Sequence, residues 1–206
     1  MRQAFRKDVN SASFSITKNY IPLESTEWVD ENGQAHYSGV SLLNPKVCSG
    51  ILTNYSALKE NCHGNFYSDT YYLMETFDQI SARALAPYPF YERLVELKID
   101  GLSNAAVRDT LQQEFGLTHT PEYISSLWRK KIPNLIASAA EDDFLDHYFL
   151  EEEKGQYKKC SKCGQIKLAL PKYFSKNKTS KDGWYSICKD CRNLRPSEKM
   201  KLGKTE

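Results

Sequence analysis

Four of the six cysteines in this 206-residue chain form a pattern that leaves few folding options. Cys160-Ser161-Lys162-Cys163-Gly164 is followed, after 24 residues, by Cys188-Lys189-Asp190-Cys191, a C-x2-C…C-x2-C set. Two intervening residues let both thiolates of a pair turn onto one ion. Gly164 suits the tight knuckle this requires, because backbone bending back towards sulfur leaves little room for a side chain. Four thiolates in tetrahedral array make a closed structural zinc site with no open position for a substrate, so one structural zinc ion is the expected cofactor. The gap between the pairs is long enough for a hairpin. Between residues 156 and 195 the apolar candidates are few, mainly Ile166, Leu168, Leu170, Phe174 and Trp184. A module this small does not fold on hydrophobic burial alone, and the metal supplies the missing stabilisation. Cys48 and Cys62 lie apart from this set. With His63 they lack an identifiable fourth ligand, and they read as buried thiols.

A disulfide framework is disfavoured by the short paired spacings and by the expected compartment. No stretch approaches 18 consecutive apolar residues, and the basic N-terminus has no apolar run behind it. Neither a membrane span nor a signal peptide is predicted, and a cytoplasmic location is expected. The formal charge of +2 conceals a split. Residues 141–157 carry seven acids and one lysine, while residues 158–206 carry fourteen basic and four acidic side chains, a local charge of +10. A zinc ion with four thiolates subtracts only about 2 from that figure. A basic module of this kind predicts nucleic acid as partner.

Elsewhere the periodicity is helical. Asn32-Gly33 predicts a type I′ hairpin turn near the N-terminus, after an extended arm over 1–24. Residues 38–67 are interrupted by Pro45, Gly50 and Gly64, with a short helix expected over 55–60. From Ser68, capped helices follow one another. One carries Leu73, Phe77, Ile80, Ala84 and Leu85. The next carries Phe90, Leu94 and Leu97, and ends at Gly101. A third, capped by Ser103, carries Ala106, Val107, Leu111 and Phe115 and stops at Gly116. Thr120-Pro121-Glu122 opens a fourth with Ile124, Leu127 and Trp128 on its apolar face. Pro133 predicts a break before a further helix. The fold class is therefore mainly α. The expected division is an N-terminal arm with hairpin at 1–67, a helical domain at 68–155, a four-cysteine module at 156–195 and a disordered tail at 196–206.

Two resemblances add to this. Lys159-Cys160-Ser161-Lys162-Cys163-Gly164, Leu170-Pro171-Lys172-Tyr173-Phe174, Lys181-Asp182-Gly183-Trp184 and Cys188-Lys189-Asp190-Cys191-Arg192-Asn193 resemble a small zinc finger of bacteriophage proteins. It is similar to the treble-clef zinc part of phage HNH and recombination endonucleases. The resemblance implies a knuckle for the first pair and a short helix for the second, over 189–195. It does not extend to nuclease chemistry. Those enzymes place a catalytic histidine by the cysteine pairs, whereas no histidine lies between Cys163 and Cys188 or after Cys191.

Residues 87–132, with Gly101-Leu102-Ser103 before a helix containing Ala105 and Ala106, resemble the helix-turn-helix of sigma-factor region 4 and phage sigma-like regulators. The same layout occurs in phage small terminase subunits. The resemblance implies that the helix opened by Thr120-Pro121-Glu122 is the recognition helix, with Thr120, Glu122, Ser125, Ser126, Arg129, Lys130 and Lys131 as candidate DNA contacts: Ser125 and Ser126 reach bases, Arg129 reads guanine or grips a phosphate, and Lys130 and Lys131 meet phosphate. On the zinc module, Lys172, Lys176, Lys178, Lys189 and Arg192 are the candidate phosphate contacts. The expected function is a non-enzymatic, phage-type protein that binds double-stranded DNA in the host-cell cytoplasm, with transcription regulation first and DNA packaging second. A zinc-module adaptor for a protein partner such as RNA polymerase is the alternative from another class, and an endonuclease comes last.

Overall fold

The computed structural model describes residues 25–62, 66, 68–151 and 155–193; the expected N-terminal arm over 1–24, His63 and the expected disordered tail lie outside the described residues. The chain is mainly helical and divides into two compact units. Among the described residues, one takes 25–28 and Tyr37–Asp143, and the other takes Val29–His36 and those from Phe144 to Asn193.

Strands β1 (Ser25–Val29) and β2 (Ala35–Gly39) form the first hairpin. Its turn is not the two-residue type I′ turn expected from Asn32-Gly33. Asp30 and Gln34 close a three-residue loop, with Asp30 N–H on the Gln34 carbonyl at 2.9 Å and Gly33 N–H on the Asp30 carbonyl at 3.0 Å. The Asp30 carboxylate decides this, because it accepts the N–H groups of Asn32 and Gln34 at 2.9 and 2.8 Å. The left-handed backbone angle falls on Gly33, at φ 73°, as in a type I turn followed by a bulge.

The first unit is a stack of short helices around one apolar core. Helix α1 (Pro45–Thr53) arises where the sequence pattern had no helix assigned. Asn44 accepts the Lys46 N–H, Pro45 occupies the first turn where no N–H is needed, and Val47, Cys48, Ile51 and Leu52 are buried. Helix α2 (Tyr55–Cys62) follows, then α3 (Asp69–Leu85), capped by Ser68 and burying Met74, Phe77, Ile80 and Leu85. Helix α4 (Pro89–Ile99) buries Leu94 and Leu97. Helix α5 (Asn104–Phe115) is capped by Ser103, buries Val107 and Leu111, and ends at the left-handed Gly116. Helix α6 (Pro121–Ser126) is capped by Thr120 and buries Ile124. Successive helices α3, α4, α5 and α6 pack on one another in order.

No break occurs at Pro133. Residues 127–131 instead form one wide π turn, and the helix runs on as α7 (Ile132–Glu151). Proline has no N–H, and its ring clashes with the carbonyl four residues back. The wide turn relieves that clash, with the Ile132 N–H reaching the Leu127 carbonyl. The Asn134 side-chain amide also donates to the Lys130 carbonyl at 2.7 Å. With one extra residue in the turn, Leu127 and Ile132 are both buried. Helix α1 packs against this turn. Among the described residues, no helix is long and apolar enough to cross a membrane.

The second unit is built from little apolar material. Strands β3 (Tyr157–Lys159) and β4 (Ile166–Leu168) pair antiparallel, with Tyr157 opposite Leu168 and Lys159 opposite Ile166. A tight turn over 170–174 and a second hairpin closed by the Lys176–Trp184 bridge lead to α8 (Lys189–Asn193). Phe174 and Leu168 are buried, and Tyr173 and Trp184 pack around the cysteines. The tip of the first hairpin belongs to this unit: a Cβ on Gly33 would lie 2.6 Å from Leu170 Cδ2.

Candidate functional site

The four cysteines come from two local devices. Between β3 and β4 the chain turns through Cys160–Cys163 with the Cys160 N–H on the Gln165 carbonyl at 2.8 Å, the Gly164 N–H on the Cys160 carbonyl at 3.0 Å, and Gly164 at φ 73°. Cys188 and Cys191 sit at the start of α8, where the first helical turn brings residues three apart onto one side. The Ser161 N–H on the Ser186 carbonyl, at 2.9 Å, ties the two devices together. All six cysteines are free thiols. The sulfurs of Cys160, Cys163, Cys188 and Cys191 lie within 4.8 Å of one another, with Cys163 and Cys188 at 4.0 Å. Four sulfurs held tetrahedrally at a zinc-type bond length of about 2.3 Å would be about 3.8 Å apart, so the set fits a single metal ion.

The electrostatics of the cluster favour a cation at its centre. Burial alone would raise the Cys160 thiol, but the backbone N–H groups of Cys163, Cys188 and Lys162 outweigh it and draw the group down to about 6. Cys191 goes the other way: burial, then hydrogen bonding within the cluster, pushes it up to about 12. Burial also raises Cys188. Four thiolates at this spacing repel one another unless a positive ion stands between them. Cys48 and Cys62 do not share this chemistry. Burial raises both, Cys48 to about 12, and the Cys48 thiol donates to the Leu42 carbonyl at 3.2 Å. Among the described residues they join no cluster of three or more ligand groups.

Between residues 156 and 193, ten basic side chains accompany two acidic ones. Two of these cations are paired with carboxylates of the unit. Lys158 pairs with Asp182, whose carboxyl is lowered well below its ordinary range by Lys158, Ser180 and the Trp184 N–H. Lys167 pairs with Asp190 at 2.6 Å; burial works to lower its ammonium, but Asp190 together with Cys188 and Cys163 raises it on balance. Of the candidate phosphate contacts, Lys176, Lys178 and Arg192 are exposed. Lys172 and Lys189 are half-buried: Lys172 lies 5.5 Å from the Tyr173 ring, and the Lys189 ammonium donates to the Pro171 carbonyl.

In the helical unit, four of the nine described cations have carboxylate partners, and the Lys98 ammonium donates to the Leu102 carbonyl at 2.9 Å. Lys59 pairs with Asp78, Arg83 with Asp143, Arg93 with Glu96 and Glu114, and Arg108 with Asp109. Arg129, Lys130 and Lys131 differ. All three are exposed on the wide turn, and none is engaged in an ion pair among the described residues. They continue the helix that holds the other candidates. The Thr120 hydroxyl accepts the Tyr123 N–H at 3.2 Å and so acts as a cap. Glu122 is exposed, and its carboxyl is lowered first by its own backbone N–H and then by the Thr120 hydroxyl. Ser126 is exposed and Ser125 half-buried.

No protein-family model, curated protein or solved structure matches this chain. What the site can do has to come from its own chemistry.

Two groupings were not evident from residue spacing. One is a chain of rings at the start of α6: Phe90 contacts Phe115 and His119 with centroids 5.4 Å apart in each case, and His119 stacks on Tyr123 at 4.5 Å. The other is Tyr185 with Arg192. Of the two neighbouring aromatics, Trp184 turns towards the cysteine cluster, whereas Tyr185 turns outward with the Arg192 guanidinium 5.4 Å from its ring. Only the local alternation of side chains along an extended segment could have separated them.

Proposed function

We propose that the chain is a zinc-stabilised DNA-binding protein in which α4, α5 and α6 act as a helix-turn-helix and the four-cysteine module as a treble-clef-like finger. The single observation that carries the DNA reading is the exposed Arg129, Lys130 and Lys131 turn. In a unit whose other described arginines are paired with carboxylates, three consecutive cations project to solvent on the wide turn that follows a capped helix. Such a helix lays its first turns against base edges and its basic flank against phosphate. Ser126 and Arg129 are the groups best exposed to reach bases, and Glu122 can accept from a cytosine amino group. Lys130 and Lys131 would contact phosphate, and Lys176, Lys178 and Arg192 would extend the phosphate contacts from the finger.

Zinc is the metal we assign, because an all-thiolate set is its ordinary structural environment. It would hold the finger's fold together and supply no reaction. The protein is accordingly read as non-enzymatic, and transcription regulation is the role attached to it through the sigma-like layout.

Binding of the zinc-loaded protein to a labelled duplex, followed by anisotropy across salt, tests the reading. Affinity should fall steeply, with a log–log slope of about −0.9 for each phosphate neutralised. Replacing Arg129, Lys130 and Lys131 by alanine together should reduce the slope by up to about 2.7 on the same rule. No duplex binding at low salt would overturn the proposal and leave the adaptor role, with a protein partner, as the alternative.

A further inference from the structure

A zinc-centred unit with so little core has few apolar side chains to spare. Phe174 and Leu168 are buried, and Tyr173 and Trp184 are packed around the cysteines. Tyr185 and Ile187 nevertheless stand 45% and 36% exposed, with Ser186 between them, on the segment leading into Cys188. That segment is anchored on both sides. The Tyr185 N–H donates to the Ser175 carbonyl at 3.0 Å, and the Ser186 carbonyl accepts the Ser161 N–H of the knuckle at 2.9 Å. The ring is therefore presented from a fixed backbone next to the metal centre, so little conformational freedom remains to be lost when something stacks on it. Arg192 lies 5.4 Å from the same ring, and exposed Lys176 and Lys178 belong to the neighbouring hairpin. An aromatic face set among cations matches a polyanion that also exposes flat rings. A paired duplex buries those rings in its stack, whereas an unpaired strand presents them.

We propose that Tyr185, with Arg192 beside it, is a stacking platform for an unpaired base, so that the finger takes single-stranded DNA. The proposal deepens the DNA reading by assigning a strand state to the finger. Arg192 and the hairpin lysines hold the phosphates while Tyr185 receives a base, an arrangement that tolerates any sequence because every base has a flat face. Ile187 extends the apolar floor.

Anisotropy of the full zinc-loaded chain with four labelled ligands separates the possibilities: oligo-dT, an abasic strand of equal length, oligo-U and a duplex. Wild-type protein should prefer oligo-dT to the abasic strand. Tyr185→Leu, which keeps apolar bulk but loses the flat ring, should weaken oligo-dT by about tenfold while leaving the abasic strand and the duplex within about twofold. Tyr185→Trp should restore oligo-dT binding. Metal content of each variant reports that the finger is intact. Should the leucine variant lose metal, photo-crosslinking of wild-type protein to a strand carrying iododeoxyuridine gives the same decision, with a crosslink on Tyr185 expected. Equal binding of oligo-dT by wild type and the intact leucine variant, equal loss of oligo-dT and the abasic strand, or crosslinks confined to other residues would each overturn the platform. Tighter binding of oligo-U would overturn the assignment to DNA. Duplex binding that persists in the first three cases leaves the DNA reading standing. Oligo-dT binding without duplex binding removes the duplex reading and keeps the platform.

Discussion

The two units solve the problem of holding a fold together in different ways. In the helical unit more than twenty side chains, from Val40 to Ala140, form one buried apolar cluster. The corresponding cluster of the cysteine unit consists of Cys160, Phe174, Cys188 and Cys191, with Tyr173 and Trp184 around it. A helix bundle can rely on removing apolar area from water. A unit whose central residues are mostly cysteines depends on what joins their sulfurs. The charges divide along the same line. Every described arginine of the helical unit but Arg129 meets a carboxylate, while residues 156–193 carry ten cations against two acids and leave several exposed. On the zinc reading proposed above, metal stabilisation frees a surface: a fold that needs little apolar area can cover itself with lysine.

Metal removal should break the comparison most strongly. Chelation, or Cys188→Ser, should unfold the cysteine unit at a cost of about 10 kcal/mol, the scale of structural zinc binding. The near-ultraviolet signal of Trp184 should be lost while the far-ultraviolet helical signal largely persists. A chelated protein with unchanged aromatic dichroism would show that the metal is dispensable. The reciprocal change is Phe77→Ala, at a fully enclosed position of α3. It should cost the helical unit about 3–5 kcal/mol in denaturant melts, with metal stoichiometry unaltered.

The pH limits should differ as well. Tyr55 has an ordinary value of 10.0 and is held up to about 12, first by burial and then by its hydrogen bond to Asp78 at 2.9 Å. A raised folded-state value means its contribution is complete below pH 10 and is lost as pH rises through 12. Helical dichroism should therefore decline over that window, and Tyr55→Phe should lessen the decline. The cysteine unit should fail at the acid end, where protonation of the thiolates releases metal. Smallest in effect, Ser103→Ala removes the oxygen that accepts the Ala106 N–H at 3.2 Å. A loss of about 1 kcal/mol in the melting of the helical unit is expected.

Much of the helical unit was legible because its signals are local. The caps at Ser68, Ser103 and Thr120 each act on an N–H three residues away. Gly116 ends α5 by its own backbone angle. Helix α1 carried the same kind of signal in Asn44-Pro45, which is readable in principle, although Pro45 and Gly50 read more readily as interruptions. Pro133 was misleading because its clash has two remedies. A chain can end the helix or insert a wide turn, and the choice falls to the core, which demands both Leu127 and Ile132. The first hairpin was recognised, but the competing Asp30 carboxylate altered its turn.

From residue spacing alone come the four-cysteine ligand set, the capped helices and the basic C-terminal segment, because each is written within a few residues of chain. Which cations are neutralised and which are left to solvent came only from tertiary structure. Arg93 finds Glu114 across 21 residues and Arg83 finds Asp143 across 60, while Arg129, Lys130 and Lys131 remain exposed on a turn shaped by packing. The turning of Trp184 inward and Tyr185 outward was decided in the same way. Coulomb attraction and burial act through space, and only the folded chain sets those distances.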